Sequence, residues 1–112
     1  MNEAPSPAER LSERILDAVA AIPRGTVMSY GDVAEYVGIK SGRQVGRVLA
    51  QRGSEVCWHR VIRADGSLAP PVGEQQRQRL RAEGVPFTAS GRVELARARW
   101  DGQPVSGRVR DA

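Results

Sequence analysis

The stretch that decides the fold runs from residue 29 to residue 51 and reads SYGDVAEYVGIKSGRQVGRVLAQ. Ser29 is a typical helix N-cap, and it predicts a short helix that continues through Val37. Gly38 is suited to end that helix, and Ser41 can cap a second helix that runs to about Gln51. Two short helices joined by a tight turn predict a helix-turn-helix.

The flanking sequence predicts one further long helix, a shorter polar helix and little sheet. Leu11, Ile15, Val19 and Ile22 recur at helical spacing, which predicts an amphipathic helix over residues 8–22 that ends before Pro23. The remaining predictions are a short β-prone segment at 26–28, a partly buried segment at 56–62, a turn at 65–66, an Arg-rich helix at 74–83 capped by Gly84, and a hairpin at 87–95 around 90–91. We therefore expect a mainly α fold with short β segments, a winged helix-turn-helix domain over residues 8–101, with disordered tails at 1–7 and 102–112.

The composition favours a small basic globular domain. The chain has 112 residues, 40% hydrophobic and 27% charged, and a formal net charge of +4. Lys40 is the only lysine, and an excess of arginine suits phosphate binding because the guanidinium can grip two oxygens at once. With one cysteine and one histidine, no intrachain disulfide or His/Cys zinc site can form. We see no secretory signal and no bilayer-spanning stretch, so we expect a cytoplasmic protein.

The second helix of the pair begins with small residues, Ser41 and Gly42, followed directly by Arg43. A helix that reads the major groove usually carries longer polar side chains at this edge, so the pattern favours close approach to a minor groove. The alternative is that Gly42 and Gly46 only pack against another helix and that Arg43 is solvated. The spacing alone leaves both interpretations open.

The segment VCWHRVI at 56–62 holds the only cysteine, the only histidine and one of two tryptophans. A cysteine beside a histidine suggests a nucleophile with its base. In a strand, however, Cys57 and His59 would share one face and Trp58 would take the other. The alternative is that all three are structural residues, with Cys57 as a small buried apolar group.

Three motifs in order resemble the DNA-binding domain of the O6-alkylguanine-DNA alkyltransferases. They are VMSYGDVA at 27–34, GRQVG at 42–46 and WHRVI at 58–62, and the resemblance extends over roughly residues 8–100. Active members read Pro-Cys-His-Arg, with the cysteine as alkyl acceptor. Here Trp58 stands at the acceptor position and Cys57 at that of the proline. The chain therefore resembles the alkyltransferase-like proteins, a branch that binds alkylated DNA without repairing it directly.

The resemblance implies roles for four DNA-binding residues and three pocket residues. Tyr30 would press on the target phosphate, and Arg43 would enter the base stack as the target nucleotide rotates out. Ser41 and Gly42 would let the helix sit in the minor groove. The residues implied for the lesion pocket are Trp58, His59 and Arg60.

The resemblance also matches His59 and Glu83 to the residues that activate the nucleophile in active members, and it gives two weaker matches. His59 matches the histidine that activates the nucleophile through water, and Glu83 matches its carboxylate partner. With no thiol at the acceptor position the pair has only a structural role. Ser54 matches an asparagine loosely because the loop at 53–56 is shorter than in many alkyltransferases. Pro71 stands nearest the position of a lid arginine.

The expected function is therefore recognition of O6-alkylguanine in duplex DNA by base flipping, with no catalysis, cofactor or metal. Flipping costs a few kcal/mol of stacking and pairing, and base stacking on a tryptophan returns about 1–3 kcal/mol. The resemblance implies hand-over to nucleotide excision repair proteins, and we expect a monomer. The alternatives are an active alkyltransferase that uses Cys57 and a winged-helix transcription regulator.

Overall fold

A computed structural model describes residues 4–68 and 72–103 of the chain. Five α-helices and one two-stranded sheet are present in those ranges. In chain order these are α1 (Pro7–Ala20), β1 (Met28–Ser29), α2 (Tyr30–Val37), α3 (Gly42–Arg52), β2 (Val61–Ile62), α4 (Gly73–Ala82) and α5 (Leu95–Ala98). Two 3-10 helices, Gly53–Glu55 and Trp58–Arg60, connect α3 to β2.

Helix α1 begins earlier than the sequence indicates. The Ser6 hydroxyl accepts from the Glu9 amide at 3.1 Å, and the Ser6 amide donates to the Glu9 carboxylate at 2.8 Å. This reciprocal capping box satisfies two amides at the helix start, and Pro7 fits the first turn, which needs no amide donor. The expectation that residues 1–7 form a loose tail is therefore wrong at Ser6 and Pro7, while residues 1–3 lie outside the described ranges.

The helix-turn-helix is confirmed. Ser29 and Ser41 cap α2 and α3, and Gly38 ends α2 with φ +88°. A positive φ at this position is reached by glycine without the strain that a Cβ would cause. Helices α1, α2 and α3 enclose the larger core, which includes Ile15, Val33 and Val45.

A second core lies under α4 and packs against the sheet. Strands β1 and β2 run parallel, with Met28 opposite Val61 and Ser29 opposite Ile62. The second core contains Val27, Ile62, Leu80, Val85, Val93 and Ala98. The helix expected at 74–83 is confirmed to within one residue as α4.

The segments after α3 contain little β structure. The partly buried segment at 56–62 contains a 3-10 helix at 58–60, in which the Arg60 amide donates to the Cys57 carbonyl at 3.1 Å, and then strand β2 at Val61–Ile62. The hairpin expected at 87–95 is reduced to one antiparallel bridge between Phe87 and Val93, and Leu95 begins α5 instead of ending a strand.

Candidate nucleic-acid interface

Tyr30 lies at the corner where α2 begins and α3 crosses it. A Cβ at Gly42 would lie 3.2 Å from both the Tyr30 Cβ and the Gly31 nitrogen, and one at Gly46 would lie 3.9 Å from the Tyr30 ring. Contacts of 3.2 Å are tighter than carbon atoms normally make, so Gly42 is required for the close approach of the two helices. The two glycines of α3 therefore pack against Tyr30, which supports the helix-packing interpretation of their spacing.

The Tyr30 side chain is half-buried and is held by a well-formed helix start. The Ser29 hydroxyl accepts from the Asp32 amide at 3.0 Å, and the Asp32 carboxylate accepts from the Ser29 amide at 3.0 Å. Burial raises the pKa of the Tyr30 phenol, an effect that the nearby Arg63 charge partly opposes. The phenol therefore keeps its proton at neutral pH and can donate a hydrogen bond to a phosphate oxygen.

Arg43 lies in the exposed first turn of α3. Its amide donates to the Ser41 hydroxyl at 3.1 Å. Its guanidinium forms no ion pair with any described residue, in contrast to Arg52, Arg60 and Arg99. The side chain is thus available to an outside ligand at the helix edge beside Tyr30.

A pocket of about 340 Å³ opens next to this corner. Its volume is within the range of roughly 300–1,000 Å³ that is typical of small-molecule sites. The lining is mainly apolar, with a tyrosine and a tryptophan from different elements. The described residues that line it are Tyr30, Gly46, Leu49, Ala50, Gly53, Ser54, Trp58 and Val72. We call it the Tyr30–Trp58 pocket.

A cation lies over the Trp58 ring. The Arg79 guanidinium carbon lies 5.6 Å from the centroid of the Trp58 ring, within the range of a cation–π contact. Arg79 belongs to α4, so this contact joins the pocket wall to the second core. No sequence signal connects residues 58 and 79, because the contact arises only from tertiary packing.

Cys57 is directed away from the pocket. Its thiol lies 3.1 Å from the Val19 carbonyl of α1, to which it donates, and its side chain packs on the larger core. Cys57 does not appear among the described residues that line the pocket. The thiol is therefore not placed to attack a group bound against Trp58.

His59 and Arg60 meet Glu83 in a buried ionic cluster. The His59 Nε2 lies 2.7 Å from the Glu83 carboxylate, and the Arg60 guanidinium donates to both of its oxygens, at 2.9 and 2.8 Å. The Glu83 side chain is only 6% exposed. Arg60 also donates to the Ile22 carbonyl at 2.8 Å, and the Gly25 amide donates to Glu83 at 3.1 Å. The cluster thus links the end of α4 to the loop after α1.

The environment of Glu83 strongly favours its charged form. Burial alone would raise the pKa of this carboxyl group, but hydrogen bonds from Arg60, His59 and the Gly25 amide outweigh burial. Together they lower the pKa of Glu83 from its ordinary 4.5 to about 2. The carboxylate is therefore ionised throughout the physiological range and acts as a permanent counter-charge for Arg60.

The histidine keeps one ring nitrogen free of protein partners. Its Nδ1 is buried and has no hydrogen-bond partner within the described ranges. The Gln76 side chain fixes the local backbone by donating to the His59 and Val61 carbonyls, at 3.1 and 2.8 Å. This arrangement holds the His59–Glu83 pair in place behind the pocket wall.

The comparisons with known proteins agree with this arrangement. A family model described as "6-O-methylguanine DNA methyltransferase, DNA binding domain" matches residues 10–85. The chain belongs to this family. Two curated relatives are similar to it: a "DNA base-flipping protein" of Escherichia coli, 47% identical over 94 residues (80% of this chain, 73% of the relative), and "Alkyltransferase-like protein 1" of Schizosaccharomyces pombe, 44% identical over 91 residues (73% and 84%).

One solved structure is similar in fold to this chain over most of its length. It is titled "Crystal structure of S. pombe Atl1 in complex with damaged DNA containing O6-carboxymethylguanine". The TM-score is 0.72 at 34% identity, with 90% of this chain and 99% of that chain covered. At this identity and coverage, the fold of the DNA-binding domain is shared throughout.

The expected site residues fall into two groups in this family member. Tyr30 and Trp58 lie on the same pocket, and Ser41, Gly42 and Arg43 lie at the adjoining helix start. His59 and Arg60 do not line this pocket among the described residues but lie in the ionic cluster with Glu83, and their assignment to the lesion pocket stays a prediction. Pro71 lies outside the described ranges.

Several pocket residues were not identified from the sequence. Leu49 and Ala50 have no distinctive chemistry, and Val72 reaches the pocket from the start of α4. Gly46 carried a usable signal, since it lies four positions after Gly42 and therefore on the same helix face.

Within the described ranges no group of three or more His, Cys, Asp or Glu side chains could hold a metal ion, and no helix is long and apolar enough to cross a membrane.

Proposed function

We propose that this protein binds duplex DNA containing O6-alkylguanine, receives the flipped base in the Tyr30–Trp58 pocket, and leaves the alkyl group in place. The observation that carries the proposal is the placement of Trp58. Its indole forms a wall of the pocket, whereas the only cysteine of the chain donates its thiol to a helix carbonyl elsewhere. A flat aromatic wall can stack a purine, and it offers no nucleophile to the alkyl carbon.

The roles of the neighbouring residues follow from their positions. Tyr30 borders the pocket with a protonated phenol, which suits a hydrogen bond to the phosphate beside the flipped nucleotide. Arg43 extends from the same corner and has the length and charge to occupy the gap that the base leaves. Ser41 and Gly42 start α3 with little side-chain bulk, which is compatible with a helix lying in the minor groove.

The relatives support the same proposal. One is named a DNA base-flipping protein, and the solved S. pombe relative is bound to damaged DNA that contains O6-carboxymethylguanine. We extend the proposal to a monomeric, cytoplasmic protein that needs no cofactor and marks the lesion for nucleotide excision repair. A stable complex that does not react with its lesion can serve as such a mark, because it persists until another protein recognises it.

The test combines binding with intact-mass measurement. The protein is titrated with a duplex containing one O6-methylguanine and with the matched guanine duplex, and the saturated lesion complex is then denatured and weighed. We expect tighter binding to the lesion duplex and a protein of unchanged mass.

The other two functions give different results in the same experiment. A gain of one methyl group that disappears in Cys57→Ser would identify Cys57 as an alkyl acceptor and contradict the proposal. Equal affinity for both duplexes would instead favour a winged-helix regulator that does not recognise lesions.

A further inference from the structure

A second and larger cavity lies against α2, away from the pocket. Its volume is about 500 Å³, it is open along one side, and two aromatic residues form part of its lining, Tyr36 of α2 and Trp100 after α5. Three carboxylates also line it, those of Asp32, Glu35 and Asp101. We call it the Tyr36–Trp100 groove. Nothing in the proposed DNA-binding function uses it.

The aromatic wall of the groove consists of an exposed tyrosine and a partly buried tryptophan. The Tyr36 and Trp100 ring centroids are 5.7 Å apart with the planes tilted by 42°. The Trp100 indole N–H donates to the Gln103 carbonyl at 3.0 Å. Tyr36 is 48% exposed, and together with Val72 at 40% it is one of the two large hydrophobic residues that are exposed in the described ranges. Val72 borders the Tyr30–Trp58 pocket, so each exposed apolar residue marks a cavity.

The groove is acidic although the chain as a whole is basic. Arg99 is the only basic residue among its described lining, and it is paired with Asp32, whose carboxylate accepts from the Arg99 Nε at 2.9 Å. The Glu35 and Asp101 carboxylates form no ion pair within the described ranges, although the Arg99 charge also attracts Glu35. A net charge of +4 on the chain makes this local excess of negative charge distinctive.

The groove lies on the opposite side of α2 from the pocket. Glu35 and Tyr36 follow Tyr30 by five and six positions, which places them roughly 140–240° around the helix from it. A ligand held beside Tyr30 and a ligand held beside Tyr36 therefore meet different faces of one helix. The acidic face also repels DNA phosphates.

We propose that the Tyr36–Trp100 groove is a docking surface for a basic segment of a partner protein, one that carries arginine or lysine next to an aliphatic residue. A guanidinium stacks on tyrosine and tryptophan rings and pairs with carboxylates in the same geometry, so the two halves of the lining recognise one type of side chain. Because the cavity is open to solvent, it suits a peptide segment more than an enclosed small molecule. The inference does not depend on lesion recognition.

The probe is an acetylated, amidated peptide of sequence Gly-Leu-Arg-Leu-Arg-Gly, titrated into the full chain and followed by nitrogen-15 NMR. We expect shifts at the Trp100 indole N–H and at the backbone of residues 32–36. A peptide with glutamate in place of both arginines is expected to cause none. Glu35→Lys is expected to weaken binding at least about fivefold, because it replaces an attractive charge by a repulsive one. Glu74→Lys, the same change on exposed α4, is the matched control and is expected to bind as the parent does.

Three results would overturn the proposal. The first is absence of shifts with the arginine peptide, or equal shifts with the glutamate peptide. The second is concentration-dependent self-association through these residues, which would make a second copy of the chain the occupant. The third is loss of lesion-duplex affinity in a folded Tyr36→Ala variant, which would place the groove in the DNA interface; we expect that affinity to stay unchanged.

Discussion

Cys57 and Trp58 are adjacent in the chain, yet their side chains serve different parts of the molecule. The indole lines the pocket, and the thiol donates to the Val19 carbonyl on the core side. A 3-10 helix begins at Trp58, and its geometry separates the two side chains. Under the proposed function the Trp58 indole is the group that meets a bound base, and it has no nucleophilic atom.

Arg43 and Arg97 allow the DNA contribution of an arginine beside the pocket to be compared with that of an arginine elsewhere on the surface. Arg43 is exposed beside the pocket without an ion-pair partner among the described residues, and Arg97 is 69% exposed with a long 3.8 Å contact to Glu94. We expect Arg43→Ala to lower the affinity for lesion DNA at least tenfold, about 1.4 kcal/mol. Arg97→Ala is expected to have a small effect that disappears at higher salt, since it removes only general charge.

Fluorescence anisotropy with a labelled O6-methylguanine duplex measures both variants. If the two substitutions reduce affinity by the same factor at every salt concentration, Arg43 contributes only charge and does not occupy the gap left by the base.

The contact between α2 and α3 determines where Tyr30 stands. A Cβ at Gly42 would lie 3.2 Å from the Tyr30 Cβ, so a methyl group there requires the two helix starts to move apart by a few tenths of an ångström. Gly31 is a useful contrast, since a Cβ there would meet only the Ser29 hydroxyl, at 3.8 Å. A side chain is thus restricted by close packing at Gly42 but not at Gly31, although the sequence alone does not distinguish the two glycines.

We expect Gly42→Ala to destabilise the fold by about 1–3 kcal/mol, the usual cost of overpacking a close contact. The same substitution at Gly31 is expected to be neutral or to stabilise α2 by up to about 1 kcal/mol, because alanine favours helix. Chemical denaturation of both variants gives the comparison. Equal stabilities would show that α3 can move away from Tyr30 without cost.

The cluster of His59, Arg60 and Glu83 connects elements that are far apart in sequence. Glu83 has a pKa lowered from 4.5 to about 2, which means that the folded state favours the ionised carboxylate. A lowered folded-state pKa contributes stability that is fully present above the unfolded pKa and is lost as the pH falls towards the folded pKa. This contribution is therefore expected to disappear between about pH 4.5 and pH 2.

We expect the melting temperature of the parent chain to fall as the pH is lowered from about 4.5 to 2. In Glu83→Gln this fall is expected to be smaller, because the variant has no carboxylate to protonate at this position. The variant is also expected to lose about 3 kcal/mol at neutral pH, because Arg60 keeps a largely buried charge without its counter-ion. The Asp32 carboxyl also has a lowered pKa through its pairing with Arg99, so some acid sensitivity is expected to remain. An unchanged pH profile in Glu83→Gln would show that the cluster contributes nothing to acid stability.

The whole molecule presents two different faces along one helix. One holds Tyr30 beside an apolar pocket and the exposed Arg43, and the other holds Tyr36 beside carboxylates. The two proposals assign DNA to the first face and a basic protein segment to the second.

The sequence predicted the parts of this fold that depend on local signals. Ser29, Gly38 and Ser41 give the bounds of α2 and the start of α3 because caps act within one turn. The sequence did not predict the conformation of the segment at 56–62, because its apolar character does not distinguish a strand from a 3-10 turn held by a buried ionic cluster. The pairing of Tyr36 with Trp100 has no local signal, since it depends on how the chain returns after α5.

The claim at the centre of the account is that the Trp58 indole holds the flipped alkylguanine. The most direct measurement is the ratio of affinities for an O6-methylguanine duplex and the matched guanine duplex, compared between the parent chain and Trp58→Ala. We expect the binding free energy that favours the lesion duplex to fall by about 1–3 kcal/mol, the range for one lost base–aromatic stack. The guanine duplex is expected to bind almost as before. Trp58→Phe, which keeps a ring, is expected to retain most of the preference. Equal weakening of both duplexes together with a lower melting temperature would contradict the account, because Trp58 would then be a structural residue only.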